Sequence, residues 1–162
     1  MIFDLFKMVK HAEMDGQHRF FYCEQWDLEK RAVMYLISHP KAMHPDNDLT
    51  ISRIRNIAKK DKTIGSIIIC SLFSRVMISS KFIGKFENTI HPQNDEWVVL
   101  CSEIANETIL CYGNVGKIRP GLDDLIGRLK NKRYSKNTNI GFPSHPLNRY
   151  PHGKGIKKNY LG

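Results

Sequence analysis

Ala32-Val33-Met34-Tyr35-Leu36-Ile37 is followed at once by Ser38-His39-Pro40-Lys41. A near-continuous apolar run of this length predicts a strand buried on both faces, the signature of a parallel sheet. The abrupt change to hydroxyl, imidazole and proline marks its carboxyl end. Working outward, Ser66 to Phe73 is a second run of the same kind, with Gly65 read as a chain break before it. Thr108 to Tyr112 is a third and Asn137 to Phe142 a last. Phe20 to Cys23 is a short aromatic strand candidate, and residues 75–93 form a long excursion. Between the runs lie helical patterns. Asp48 is placed to cap a helix with Ile51, Ile54, Ile57 and Ala58 on one face. Asn94 is placed to cap a second, with Trp97, Leu100, Cys101 and Ile104 together. Pro120 suits the first turn of a third, where Leu122, Leu125, Ile126 and Leu129 fall at helical spacing. Strands alternating with helices predict a three-layer α/β/α fold with a mostly parallel central sheet. Residues 1–148 read as one domain and residues 149–162 as a basic mobile tail.

The chain has 162 residues, 41% of them hydrophobic and 25% charged, enough for one domain with a real core. No apolar run approaches the roughly 18–20 residues of a membrane span. The N-terminal stretch carries acids and no small-residue cleavage pattern, so no signal peptide is expected. Four cysteines occur without a CxxC pair, and Cys70, Cys101 and Cys111 sit in apolar patterns. That favours buried free thiols and a cytoplasmic setting over a disulfide framework.

The 25 basic and 16 acidic residues give a net charge of +9. Nine of the basic residues, among them Arg128, Lys130, Lys132, Arg133, Arg149, Lys154, Lys157 and Lys158, lie in residues 125–162, which hold no acid. The excess is therefore confined to the last quarter of the chain. Such a block suits a polyanion, so nucleic acid or a nucleotide is the expected partner, with Arg149, Lys154, Lys157 and Lys158 as phosphate contacts. The other reading is a solubilising tail.

In parallel α/β sheets ligands bind beyond the carboxyl ends of the strands. Four segments there carry the unusual chemistry. Ser38-His39-Pro40-Lys41 offers a hydroxyl and an imidazole able to position a water or a carbonyl; a plain proline-punctuated turn is the alternative. Asp46-Asn47-Asp48 is either a ligand-gripping loop or, preferably, a helix cap. Gly113-Asn114-Val115-Gly116-Lys117 resembles a phosphate cradle of backbone amides with a nearby lysine. It lacks the Ser or Thr of a Walker motif, because Ile118 follows, and a tight turn explains it as well. Ser144-His145-Pro146-Leu147 places a histidine at the mouth of the same site. Seven histidines show no HExxH motif and no Cys/His ligand spacing, so no metal and no cofactor are expected. No GxSxG elbow supports a serine hydrolase.

The run Ile37 to Ile51 resembles the LNPSTADxxxNDPTI signature of domain-of-unknown-function family 1643, in ungapped register with Asn47, Asp48, Thr50 and Ile51 matching. Ser71-Leu72-Phe73 resembles the family's NLF, Asn94-Asp95 its ND, Tyr112-Gly113 its WG, and Gly141 with His145-Pro146-Leu147 its closing motif. Ser38-His39-Pro40 stands where the family has Asn-Pro-Ser. The motif order is similar to that of the uracil-DNA glycosylase superfamily. That likeness implies a base-excising hydrolase, with Ser38 at the water-orienting position and His39 and His145 lining the pocket. Apart from that likeness, Lys41, Asn47, Gly113, Asn114 and Lys117 are expected as phosphate or nucleic-acid contacts. Two other functions fit the same residues: a non-catalytic binding module, and an enzyme on a free phosphorylated small molecule held at Gly113 to Lys117.

Overall fold

The computed structural model describes residues 10–135. The expected strand 137–142, His145 and the basic tail 149–162 lie outside the described residues. The chain runs through β1 (Lys10–Asp15), β2 (His18–Gln25), β3 (Arg31–Ile37), α1 (Leu49–Ala58), β4 (Ile64–Ser71), α2 (Asn94–Ile104), β5 (Glu107–Leu110), α3 (Leu122–Arg128) and β6 (Lys132–Tyr134). These six strands form one sheet in the order β1-β2-β4-β3-β5-β6.

The strands β4, β3, β5 and β6 are parallel, and the continuous apolar runs of β3 and β4 fit burial on both faces. β3 is buried from Ala32 to Ile37 and β4 along its whole length. The expectation of a mostly parallel sheet needs correction on one side. β2 pairs antiparallel with β4, and β1 antiparallel with β2, so a hairpin extends the parallel half. The turn at Gly16, with φ of 55°, makes that hairpin tight. A bulge between Glu13 and Met14 shifts the register of its outer strand.

Alternate residues of the strands feed two cores. Val33, Tyr35, Ile37, Ile67, Ile69 and Ile109 pack with Ile51, Ile54 and Ala58 of α1 on one face. Met34, Leu36, Ile68, Cys70 and Leu110 pack with Val98, Cys101, Leu125 and Ile126 of α2 and α3 on the other. Each of the Val, Ile, Leu and Met side chains among them contributes about 1.5–3 kcal/mol on burial. Helices on both faces give the three layers.

Three local expectations are corrected. Gly65 does not break the chain; it is buried inside β4, and both Trp26 N (2.8 Å) and Asp27 N (3.0 Å) donate to its carbonyl. A Cβ there would meet Asp27 O at 2.0 Å, so the close approach of the main chain requires glycine. Asn94 does not cap α2: the cap is Gln93, and Asn94 turns inward with its side-chain amide donating to Ser71 O at 2.9 Å. The buried face of α2 is Asn94, Val98, Cys101 and Ser102, while Leu100 is exposed. Trp97 sits at the core's margin, stacked on Phe20 at 5.8 Å. By contrast Asp48 caps α1 as expected, accepting from Thr50 N at 3.0 Å.

Candidate functional site

The carboxyl ends of the parallel strands are locked together. Leu72 N donates to Ile37 O, Phe73 N to Ser38 O, Cys111 N to Leu36 O and Ser135 N to Leu110 O, all at 2.9–3.0 Å. The antiparallel β2 begins at this same end, where Arg19 N donates to Ser74 O at 2.9 Å. One end of the sheet therefore collects the loops after β3, β4 and β5, Ser135 directly after β6, and the start of β2. Buried polar side chains crowd it: Arg19, Ser38, His39, Asp48, Ser71, Ser74, Asn94, Arg119 and Ser135.

Ser38 and His39 leave β3 already buried, His39 with 1% exposure. Ser38 Oγ and His39 Nδ1 are 3.0 Å apart. His39 Nε2 is enclosed and has no partner in hydrogen-bonding geometry among the described residues. Burial, helped by the positive charge of Lys41, pushes the imidazole down to about 4, although Asp48 and the Met77 main chain act the other way. The ring is thus neutral at physiological pH, with one nitrogen a donor and the other an acceptor. Ser38 occupies Nδ1 in either tautomer, and the Met77 main chain comes near the ring without a well-formed hydrogen bond to Nε2.

Asp48 organises the loop between β3 and α1. Its Oδ1 caps α1, and its Oδ2 accepts from Arg19 Nη2 at 2.7 Å and from Lys41 N at 3.1 Å. Arg19 Nη1 adds a bond to Ala42 O at 3.4 Å. This carboxylate is committed to holding the loop in place and is not poised as a general base. Lys41 is half-buried beside it, and burial lowers its ammonium from the usual value. Asn47 lies exposed in the 3-10 turn Pro45–Asn47.

On the other face Arg119, which no sequence motif marks, is buried. Its Nε donates to Leu72 O at 2.8 Å, and its guanidinium also binds Asp95 and Pro120 O. Asn94 Oδ1 is a second enclosed polar atom without a partner among the described residues, and Thr50 Oγ1 a third. Gly113–Ile118 winds into a 3-10 helix with Gly113 at φ 71°. Gly113 and Gly116 are buried; Asn114 and Lys117 are exposed. The structure thus brings Ser38, His39, Lys41 and Gly113 to one end of the sheet. His145 and the tail residues Arg149, Lys154, Lys157 and Lys158 fall outside the described residues.

Two open depressions lie away from this end. Glu96, Val99, Leu100, Glu103, Arg128 and Lys130 line one. Trp26, Lys30, Lys59, Asp61, Lys62 and Ile64 line the other, at the amino end of β4. Among the described residues no group of three or more His, Cys, Asp or Glu side chains is arranged to hold a metal ion. No helix there is long and apolar enough to cross a membrane. Cys23, Cys70, Cys101 and Cys111 are all free and buried.

Sequence reasoning missed Arg19 and Arg119 as organising groups and gave Asn94 a capping task in place of its bond to Ser71 O. The only trace of the first was a charged residue opening an aromatic strand. The profile of the family described as protein of unknown function, DUF1643, matches residues 19–147. The chain belongs to this family. Its matched span begins at Arg19, the partner of Asp48, and covers the whole parallel half of the sheet. Neither the curated proteins nor the solved structures yield a match.

Proposed function

We propose that this DUF1643 domain binds nucleic acid or a nucleotide at the carboxyl ends of β3, β4 and β5, with His39 as its central polar contact. The observation that supports it most is a neutral imidazole at a strand end whose enclosed Nε2 has no partner in hydrogen-bonding geometry among the described residues. A buried polar atom without a partner costs roughly 1–3 kcal/mol, and a ligand group that satisfies it recovers that energy. The edge of a nucleobase supplies such donors and acceptors. The basic block of residues 125–162 supports a phosphate-bearing ligand.

The uracil-DNA glycosylase-like motif order extends this reading to hydrolytic release of a base, with Ser38 orienting the water. A non-catalytic binding module is the second reading. It is favoured by the commitment of Asp48 to Arg19, Lys41 N and Thr50 N, which leaves that carboxylate unable to activate a water.

The test combines calorimetric titration of the full chain with nucleobases, mononucleotides and oligonucleotides with a base-release assay on uracil-containing DNA. Binding that weakens at least tenfold in His39→Gln, with the native fold retained by circular dichroism at the titration temperature, is the expected result. Base release by the wild type, abolished in Ser38→Ala, assigns the hydrolase; binding without release assigns the module. No binding of any of these ligands overturns the proposal.

A further inference from the structure

The connection from β4 to α2 is longer than the roughly 12–15 residues that loops without a task usually reach. It is firmly held at its feet. Arg75 N donates to Thr89 O at 3.1 Å and His91 N to Ser74 Oγ at 2.8 Å, which closes it. Val76 N donates to Gln17 O at 2.8 Å and Met77 N to Pro40 O at 2.9 Å, which ties it to the β1–β2 hairpin and to the residue after His39. Met77 and Ile83 are buried beneath it.

The tip is cationic and aromatic. The Arg75 guanidinium lies 4.4 Å from the centroid of Phe86. The Lys81 and Lys85 ammonium groups each lie 5.6 Å from that of Phe82. The two rings are 5.8 Å apart. Phe86 is 42% exposed and Ile78 is 79% exposed. None of the three cations has a carboxylate ion pair among the described residues. Unneutralised cations interleaved with accessible planar groups are the means by which proteins hold single strands: charges track the phosphates while bases stack on rings and guanidinium planes.

We propose that this anchored excursion is a platform for single-stranded nucleic acid, with Lys81 and Lys85 on phosphates and the Arg75–Phe86 face under a base. Its bond to Pro40 delivers the strand to His39. The inference rests on the nucleic-acid reading above and specifies where the strand lies. A duplex suits it less, because stacked and paired bases do not present a free face.

The test is fluorescence anisotropy with the full chain, using labelled 20-nucleotide DNA and RNA single strands, the matching duplexes, and anionic phosphatidylserine vesicles, at several salt concentrations. Single strands bind more tightly than duplexes. Lys81→Glu with Lys85→Glu weakens binding and lowers the log–log salt slope by roughly 0.7 for each phosphate no longer neutralised. Phe86→Ala weakens single-strand binding roughly 5- to 100-fold and leaves the slope unchanged. Thermal melting checks both variants, and Lys81→Ala with Lys85→Ala replaces the charge reversal if that variant melts early. Wild-type binding to single strands that neither variant alters overturns the platform and leaves the nucleic-acid reading standing. Preference for duplex overturns the platform in the same way. Absence of all nucleic-acid binding overturns both, and vesicle binding abolished in Phe86→Ala would then assign the tip to a membrane surface.

Discussion

The guanidinium of Arg19 and the carboxylate of Asp48 meet at 2.7 Å with 2% and 0% of their side chains exposed. The pair joins the first residues of β2 to the cap of α1 across the mouth of the parallel strands. Around it the loop carrying Ser38, His39 and Lys41 is held by main-chain bonds on both sides.

Removing one partner of this pair leaves the other charge enclosed. Asp48→Asn keeps a capping oxygen but loses the charge, so it is expected to lower stability by roughly 3–5 kcal/mol. Asp48→Ala also loses the cap, worth about 1 kcal/mol more. Arg19→Met combined with Asp48→Asn is expected to cost less than Asp48→Asn alone, because no unpaired charge remains. Urea denaturation of the three variants checks the order; a double variant that is the least stable refutes it.

His39 gives the native state a specific acid sensitivity. Its folded value of about 4 lies below its ordinary 6.5. Between those values the unfolded chain takes up a proton that the native chain does not, so stability falls as pH drops from about 6.5 to about 4 and levels off below. The loss amounts to about 3 kcal/mol. His18, lowered mainly by burial and then by His91 and Arg75, acts in the same direction. Denaturation curves of wild type and His39→Gln across this range should diverge at pH 7 relative to pH 4; parallel curves would remove His39 as the cause.

Gly65→Ala is expected to destabilise the fold by about 1–3 kcal/mol through forced displacement of the Asp27 carbonyl and Lys30. Gly84→Ala, whose added Cβ meets nothing within 4 Å, is the control with little effect. Equal melting temperatures for the two variants would contradict this.

Deleting residues 149–162 removes Arg149, Lys154, Lys157 and Lys158. If these hold phosphates, nucleic-acid affinity falls and the log–log salt slope drops by roughly 0.7–0.9 per phosphate released, with base preference retained. An unchanged slope transfers the phosphate-binding role to the domain.

What the sequence disclosed follows from how burial is distributed. β3 and β4 are enclosed on both sides, so their apolar runs are unbroken and legible, and Asp48 announces α1 because its cap is local. β1 is half-exposed along most of its length, so KHAEMD carries no alternation to read. β6 spans only Lys132–Tyr134 and pairs with β5 from within a basic run that hides it. Gly65 reads as a breaker unless one knows that the Asp27 carbonyl comes to rest against it. The position of Ser38 and His39 at a strand end was legible. That His39 Nε2 finds no partner in hydrogen-bonding geometry among the described residues was not, because it depends on where segments distant in the chain come to rest.

The strand order has a consequence for how the protein is made. β2 and β3 are consecutive in the chain, yet β4 lies between them in the sheet. As the chain emerges from the ribosome, the hairpin of residues 10–25 and the strand of residues 31–37 must wait until residue 71 has been synthesised before either gains its shared neighbour. During that interval the inner edge of β2 and both edges of β3 stand open for pairing with other chains. The insertion of β4 therefore closes one edge of each in one step and leaves the other edge of β3 to β5, so a nascent chain halted before β4 exposes more open edge than one halted after it.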